Sequence, residues 1–331
     1  MIKIKICTQN PDGACSYYRS IGVFSKLHKL NSEIVVEIIS NFEWSTLSDT
    51  DIVVFERPRD ESMVKAIEFT QNFGIPVWID IDDDFFNIPK YNPSYTHFEK
   101  KEVRRSIETC IAYADVVSVT TNALKEQYLK YNKNIFVVEN AFNDYNFSLS
   151  TQPSENNIVN WRGSVTHRND ILSCIESISK LSINHLDYGF NFIGSDLWFI
   201  EDRVKNLSIK SPLTLVPYMQ YIKFLQPQIQ INPLEFNVFN ESKSNINFIE
   251  GIYAGAVCVA PDMPEWNKPG IEIYRTPEEF YEKVDMLIKD KKKRIKNFYQ
   301  SLDYINENLL LSRLNKKRLD VIEFLCNDKS I

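Results

Sequence analysis

The segment Ile231-Asn232-Pro233-Leu234-Glu235-Phe236-Asn237-Val238-Phe239-Asn240-Glu241-Ser242-Lys243-Ser244-Asn245-Ile246-Asn247-Phe248-Ile249-Glu250-Gly251-Ile252-Tyr253-Ala254-Gly255-Ala256-Val257-Cys258-Val259-Ala260-Pro261 decides the reading of this chain. An apolar run ends at Ile231 and a polar loop follows. A helix opens at Ser242 or Ser244, stops at Gly255, and gives way to a second apolar strand through Val257 to Ala260. Strand, loop, helix, strand is the repeating unit of an open parallel sheet, in which ligands sit beyond the carboxyl ends of the strands and face helix N-termini. Free backbone N–H groups at such a terminus favour anions, and Ser242, Lys243 and Ser244 add two hydroxyls and a cation there. The loop has the composition of a phosphate site.

The same alternation extends to both sides. Six strand-like runs, beginning at Ile2, Ile34, Asp51, Pro76, Val116 and Ile135, are interleaved with helix patterns near Cys15 to Leu30, Glu61 to Phe73, Glu99 to Ala114 and Asn122 to Tyr131. A polar stretch around Ser148 to Asn157 interrupts the pattern, which then restarts with strands at Ile158, Gly189, Leu213, Ile229 and Val257. The expectation is two Rossmann-like α/β units with parallel sheets facing across a cleft. Residues 1–147 form the first, 148–157 a linker that lets them close, 158–300 the second, and 301–331 a C-terminal helical segment. A length of 331 residues suits two domains.

Composition narrows the class. With 44% hydrophobic and 25% charged residues the chain is of ordinary globular type. Its longest apolar stretches stop short of the ~20 residues of a membrane span, and the first residues enter a strand pattern, so a cytoplasmic protein is expected. The net charge of −6 supplies no overall field for nucleic acid. Six scattered cysteines without a Cys-x-x-Cys pair, and four histidines, argue against structural zinc and a disulfide framework. The run Lys289 to Arg294 reads as a solvated helix face.

Two further loops carry candidate chemistry. After the strand ending near Trp161 comes Arg162-Gly163-Ser164-Val165-Thr166-His167-Arg168-Asn169-Asp170, in which Gly163 permits close backbone approach and Arg162 and Arg168 offer forked donors to phosphate. His167 is either a donor-loop residue or a neighbour of the following helix cap. Past the strand at Pro76 lies Asp80-Ile81-Asp82-Asp83-Asp84, a set of carboxylates that needs water, a cation or hydrogen-bond donors beside it. Magnesium or manganese suits such oxygens, and acceptor binding or helix capping is the preferred alternative.

The segment ending at Pro261 resembles the retaining GT-B glycosyltransferases of family four, related to glycogen synthase, over Glu250 and Gly255-Ala256-Val257-Cys258-Val259-Ala260. Those enzymes carry a Glu-x7-Glu signature there. The position of the first glutamate is Ser242 in this chain, which removes one expected sugar or catalytic contact. The Asn-x-Ser-Lys-Ser loop and the Trp161 to Asp170 segment resemble a compact subgroup that includes transferases encoded by bacteriophages.

The resemblance implies a hexosyl- or pentosyltransferase acting with retention, with a nucleotide-sugar as co-substrate, no tightly bound cofactor and, as is usual for GT-B enzymes, no metal. It implies that Glu250 binds the donor ribose, that Arg162 and Lys243 stabilise the departing diphosphate, and that Gly163, His167, Ser242, Ser244 and Asn245 line the donor site. On a helix opening at Ser242, Lys243 and Glu250 share a face about 10 Å apart. Tyr218 stands where relatives contact the nucleobase and is either a stacking platform or a packing residue. The loop after the first strand, with Asp12, Gly13, Tyr18 and Arg19, faces the acceptor, together with Asp82, Asp83 and Asp84. The acceptor itself stays open among a glycan, a protein, a lipid-linked sugar and a modified DNA base. A GT-B sugar-nucleotide epimerase and a non-catalytic nucleotide-sugar-binding subunit are the alternatives.

Overall fold

The computed structural model describes residues 1–39, 42 and 44–327, so positions 328–331 of the expected C-terminal segment lie outside the described residues. The first half builds one parallel sheet from β1 (Ile2–Cys7), β2 (Ile34–Ile39), β3 (Ile52–Glu56), β4 (Val77–Ile81), β5 (Val116–Val119) and β6 (Ile135–Val137), in the order β2-β1-β3-β4-β5-β6. The second half repeats the design with β7 (Asn156–Arg162), β8 (Gly189–Ile193), β9 (Leu207–Lys210), β10 (Pro227–Ile231), β11 (Val257–Pro261) and β12 (Glu272–Tyr274), in the order β12-β11-β10-β7-β8-β9, again parallel throughout. Helices cover the sheets, so the central strands β3, β4, β5, β10 and β11 are buried along their whole length. That burial is why they read as unbroken apolar runs.

Each sheet has a point at which the chain reverses its direction of build. In the first it lies between β1 and β3, in the second between β7 and β10. Crevices open outside the carboxyl ends of strands at these points. The loop from Thr8 to Gly13 leaves one crevice and the Arg162–Gly163 turn leaves the other.

Three local expectations are corrected. The helix expected from Cys15 to Leu30 is broken into Ala14–Arg19, Ile21–Phe24 and a short turn at Leu27–Lys29. Ser20 sits at the break with φ −124° and ψ −84°, and its hydroxyl, like that of Ser16, donates to the buried Glu56 carboxylate. Hydroxyls that bond away from the helix compete with its own ladder.

The strand expected at Leu213 is instead the start of a helix, Leu215–Leu225, with Thr214 extended at its N-cap and Pro217 in its first turn, where no N–H is needed. The neighbouring edge strand is β9, whose two middle residues are exposed and therefore carry no burial pattern. β12, a three-residue edge strand, also lies outside the expected set.

The third correction concerns the decisive segment. Two helices replace one: Val238–Glu241, capped by Asn237, and Ile246–Ala254, which starts from Asn245 and ends at Gly255 with φ +95°. Lys243 lies in the connection between them, so the helical spacing of Lys243 and Glu250 does not exist. Asn237 accepts from the Asn240 N–H, and this local cap draws the first turn forward.

Three long helices close the chain, Pro277–Lys289, Lys291–Asn308 and Leu311–Asn327. The last returns to the first half, where Asn315 Nδ2 donates to the Val23 carbonyl at 2.9 Å and Lys317 meets Glu139 at 2.6 Å. The chain thus passes between the halves twice, and the two passages touch at a parallel bridge. Phe142 N–H donates to the Leu309 carbonyl and Leu311 N–H to the Phe142 carbonyl, both at 2.8 Å. No helix among the described residues is long and apolar enough to cross a membrane.

Candidate functional site

β7 is buried from Val159 to Trp161, and the next residue, Arg162, emerges at the carboxyl edge with a quarter of its side chain exposed. Gly163 makes the turn possible, because a Cβ there would lie 2.5 Å from the Trp161 ring. The guanidinium turns onto Glu250 of the helix Ile246–Ala254 and grips both carboxylate oxygens, Nε to Oε2 at 2.8 Å and Nη2 to Oε1 at 2.6 Å. Tyr18, from the other half, donates to Oε1 at 2.8 Å, and Tyr218 donates to Oε2 at 3.0 Å. The Tyr218 ring also lies under the Arg162 guanidinium at 5.2 Å. Burial, then the Glu250 charge, pushes both phenols well above their ordinary pKa, so they remain donors. Burial opposes the charge on Arg162, but Glu250 and the tyrosines hold it above its ordinary value.

This geometry changes the roles assigned to two residues. Glu250 is 1% exposed and both its oxygens are occupied by protein donors, so it orients Arg162 rather than presenting a free carboxylate to a ribose. Tyr218 is 5% exposed and packs beneath Arg162, the packing alternative of the two considered.

Across the cleft, Asp80 near the end of β4 and the three carboxylates that follow it each meet a different protein partner. Asp80 receives a two-pronged bond from Arg19, at 2.9 and 2.8 Å. Arg19 is completely buried and also donates to the Val138 carbonyl, so it braces the first sheet and does not face the cleft. Asp82 lies 3.2 Å from Arg57 Nε, an ion pair in which neither atom completes a hydrogen bond. Asp83 lies 3.6 Å from Lys243 Nζ of the other half. Asp84 is fully buried, accepting from the Phe86 and Asn87 N–H groups and from Gln127, which makes it the clamp of the turn.

Arg57 has φ +48°, a conformation that a bulky residue adopts only where its surroundings enforce it. Its own N–H is tied to the Asp80 carbonyl at 2.9 Å and its guanidinium reaches the Cys15 sulfur at 3.0 Å. The nearby Asp82 charge and burial push the Cys15 thiol up to about 12, so it stays protonated.

The remaining candidates divide between the cleft wall and the scaffold. Ser242 is buried, with its hydroxyl on the Phe239 carbonyl and its own carbonyl accepting from Thr121, so it joins the two halves. Ser244 accepts from Asn140 Nδ2 at 2.8 Å, another contact between halves, and Asn245 donates to the Glu265 carbonyl. Asp12 is exposed on the turn closed by the Gly13 N–H to the Asn10 carbonyl, and Gly13 caps the helix Ala14–Arg19. His167 Nδ1 bonds to Asp170 at 2.8 Å.

Asp170 was not expected to matter, yet it is the knot of this side. It is buried and also accepts from Asn240 Nδ2 and the Glu235 N–H, at 2.8 and 2.9 Å, tying the loop after β7 to the loop after β10. The only signal in the sequence is its place three residues after His167. Arg57 and Tyr91, which reaches Glu235 from the first half, were equally silent. Nothing in the sequence shows that they converge.

Two six-stranded parallel sheets, joined through residues just beyond their carboxyl ends, are the GT-B fold. Comparison with solved structures agrees. A glycosyltransferase from Rickettsia africae superposes with a TM-score of 0.64 at 14% identity, covering 98% of each chain. Anabaena HepE in complex with UDP and glucose gives 0.64 at 12% identity over 98% of this chain and 100% of that one. Staphylococcus aureus TarM gives 0.63 at 16% identity, and there this chain spans 57% of the length of its relative. A UDP-N-acetylglucosamine 2-epimerase from Listeria monocytogenes shares the fold at a TM-score of 0.57 and 11% identity, over 90% of this chain and 91% of that one. No family model matches the chain, and no curated protein is similar to it in sequence.

Proposed function

We propose that this protein is a glycosyltransferase that moves a sugar from a nucleotide-sugar donor to an acceptor hydroxyl. The observation that carries the reading is Arg162, a cation fixed by Glu250 at the carboxyl edge where the second sheet changes direction, the place where open α/β sheets bind ligands. A guanidinium held rigid in this way needs no reorganisation when charge builds on a departing diphosphate. Lys243 and the N-terminus of the helix Ile246–Ala254 complete an anion-binding wall, the lysine exchanging Asp83 for phosphate when donor enters. Asp82, held beside Arg57, faces the acceptor side. The reading is of a retaining reaction without a metal, in a protein of the cytoplasm, and it draws support from the full-length likeness to nucleotide-bound GT-B structures such as HepE.

The test is a donor screen with UDP-, GDP- and ADP-sugars by thermal shift, followed by slow donor hydrolysis with and without EDTA. One donor is expected to stabilise the fold by ~2.7 kcal/mol at 100 times its dissociation constant. Hydrolysis is expected to vanish in Arg162→Ala and to survive EDTA. A second reading, a sugar-nucleotide epimerase, rests on the likeness to the Listeria structure. Conversion of the donor sugar in the absence of any acceptor would establish it and overturn transfer.

A further inference from the structure

Beside the candidate donor loop lies a cavity of about 480 Å³ that none of the roles above uses. Both halves line it. Tyr91 comes from the loop after β4, Glu235, Phe236 and Asn237 from the loop after β10, and Arg275 from the loop after β12. Its volume falls within the ~300–1,000 Å³ of small-molecule sites. The walls combine two kinds of surface. Tyr91 and Phe236 are large aromatic residues left 46% and 49% exposed, whereas most aromatic rings of the chain are buried or half-buried. Around them stand the planar polar groups of Glu235, Asn237 and Arg275.

These groups are already arranged with respect to one another. The Tyr91 hydroxyl donates to Glu235 Oε2 and accepts from Asn237 Nδ2 at 3.3 Å, so the tyrosine stands upright between the two halves. The Phe236 ring is steadied edge-on by the buried Tyr274 at 6.3 Å. Arg275 is held by Asp262 at 2.7 Å, which leaves its other guanidinium nitrogens turned to the surroundings. Exposed aromatic faces accept the apolar C–H face of a saturated ring, and carboxylate, amide and guanidinium side chains each offer paired sites that match neighbouring hydroxyls. An anion is disfavoured by the Glu235 carboxylate. A wholly apolar ligand would strand the polar rim. A neutral polyhydroxylated ring satisfies both surfaces.

We propose that this cavity is a saccharide subsite that holds a sugar ring of a glycan acceptor beside the donor. The inference rests on the transferase reading for the word acceptor, and it selects the glycan from the four acceptor classes left open by the sequence. Position supports it: the Glu235 N–H and His167 share the Asp170 carboxylate, so the cavity and the donor loop have one wall in common. Closure of the cavity needs both halves, which couples acceptor capture to the state of the cleft.

The test uses the full chain and three neutral disaccharides, cellobiose, maltose and N,N′-diacetylchitobiose, observed by saturation-transfer NMR, with UDP-glucose binding measured in parallel. At least one disaccharide is expected to show transfer concentrated on its ring C–H protons. Tyr91→Ala and Phe236→Ala are each expected to weaken that binding at least about fivefold, as truncation of an aromatic anchor does, with the melting temperature unchanged. Arg162→Ala is expected to leave it intact. Absence of binding by all three sugars, or binding indifferent to both aromatic substitutions, overturns the subsite. Disaccharide binding with no response to any nucleotide-sugar would keep the subsite and sink the transferase reading, so the two failures are distinguishable.

Discussion

Removing either member of the Arg162–Glu250 pair exposes how much the crevice depends on it. Glu250→Ala leaves a guanidinium with a quarter of its surface in water and no counter-charge. Breaking a fully buried pair costs about 3–5 kcal/mol, and the partial exposure places this one near about 3 kcal/mol. Arg162→Ala leaves a carboxylate that is 2% exposed and supported only by Tyr18 and Tyr218, for a loss of about 3–4 kcal/mol. The double variant removes both charges at once, so the singles are expected to exceed additivity by about 2–3 kcal/mol. For a chain of 331 residues unfolding as one unit, an entropy of ~2.1 cal/mol/K per residue gives ~0.7 kcal/mol/K, and a loss of about 3 kcal/mol becomes a drop of about 4 °C. Urea unfolding followed by circular dichroism measures the free energies, and thermal melts check the temperature shift. If the double variant loses as much as the two singles summed, the residues do not act as a pair and the positioning role of Glu250 fails.

The other expectations concern the cleft, a helix end and acid stability. Lys243→Ala is expected to weaken binding of a nucleoside diphosphate by about 1.5–3 kcal/mol, and nucleoside binding much less, by calorimetry. Asp83→Asn, which frees the lysine, is expected to tighten the diphosphate while lowering turnover; equal affinities in both variants and the parent would refute the exchange. Gly255→Ala places a side chain at φ +95° and 3.1 Å from the Ser154 nitrogen, and a loss of more than about 1 kcal/mol in urea unfolding is expected. Glu272 is buried, which opposes its charge, but Lys293, Asn297 and Lys283 hold it below its usual 4.5. A depressed carboxyl contributes stability that is present above 4.5 and fades as pH falls through its lower folded value. The parent is therefore expected to lose stability on acidification more steeply than Glu272→Gln, and parallel pH curves would contradict the assignment.

Much of the fold was legible because a sheet buried on both faces forces continuous apolar runs. The central strands β3, β4 and β5 of the first half announce themselves in this way. Edges are harder to read: β9 alternates in chemistry, Leu207-Ser208-Ile209-Lys210, over only four residues and not in burial, and β12 is too short to carry a pattern. Within the site, Arg162 and Gly163 were legible because a strand end followed by a glycine turn fixes where a side chain must emerge. The partnership of Glu250 with Tyr18 joins residues 232 positions apart, and no local signal encodes such a meeting. Lys243 shows a different limit, since a single capping asparagine at 237 moved a helix start and with it the direction of the side chain.

The bridge between Phe142 and Leu310 has a mechanical consequence. A molecule joined by one strap can twist freely about it, whereas two straps lashed together at one point form a pivot with a defined axis. Any displacement of one half against the other is then confined to a swing about that lashing. Trimming the chain before Leu311 would loosen the pivot without touching any residue of the crevice. The final helix, tied to the first half through Asn315 and Lys317, therefore braces the joint from outside the crevice.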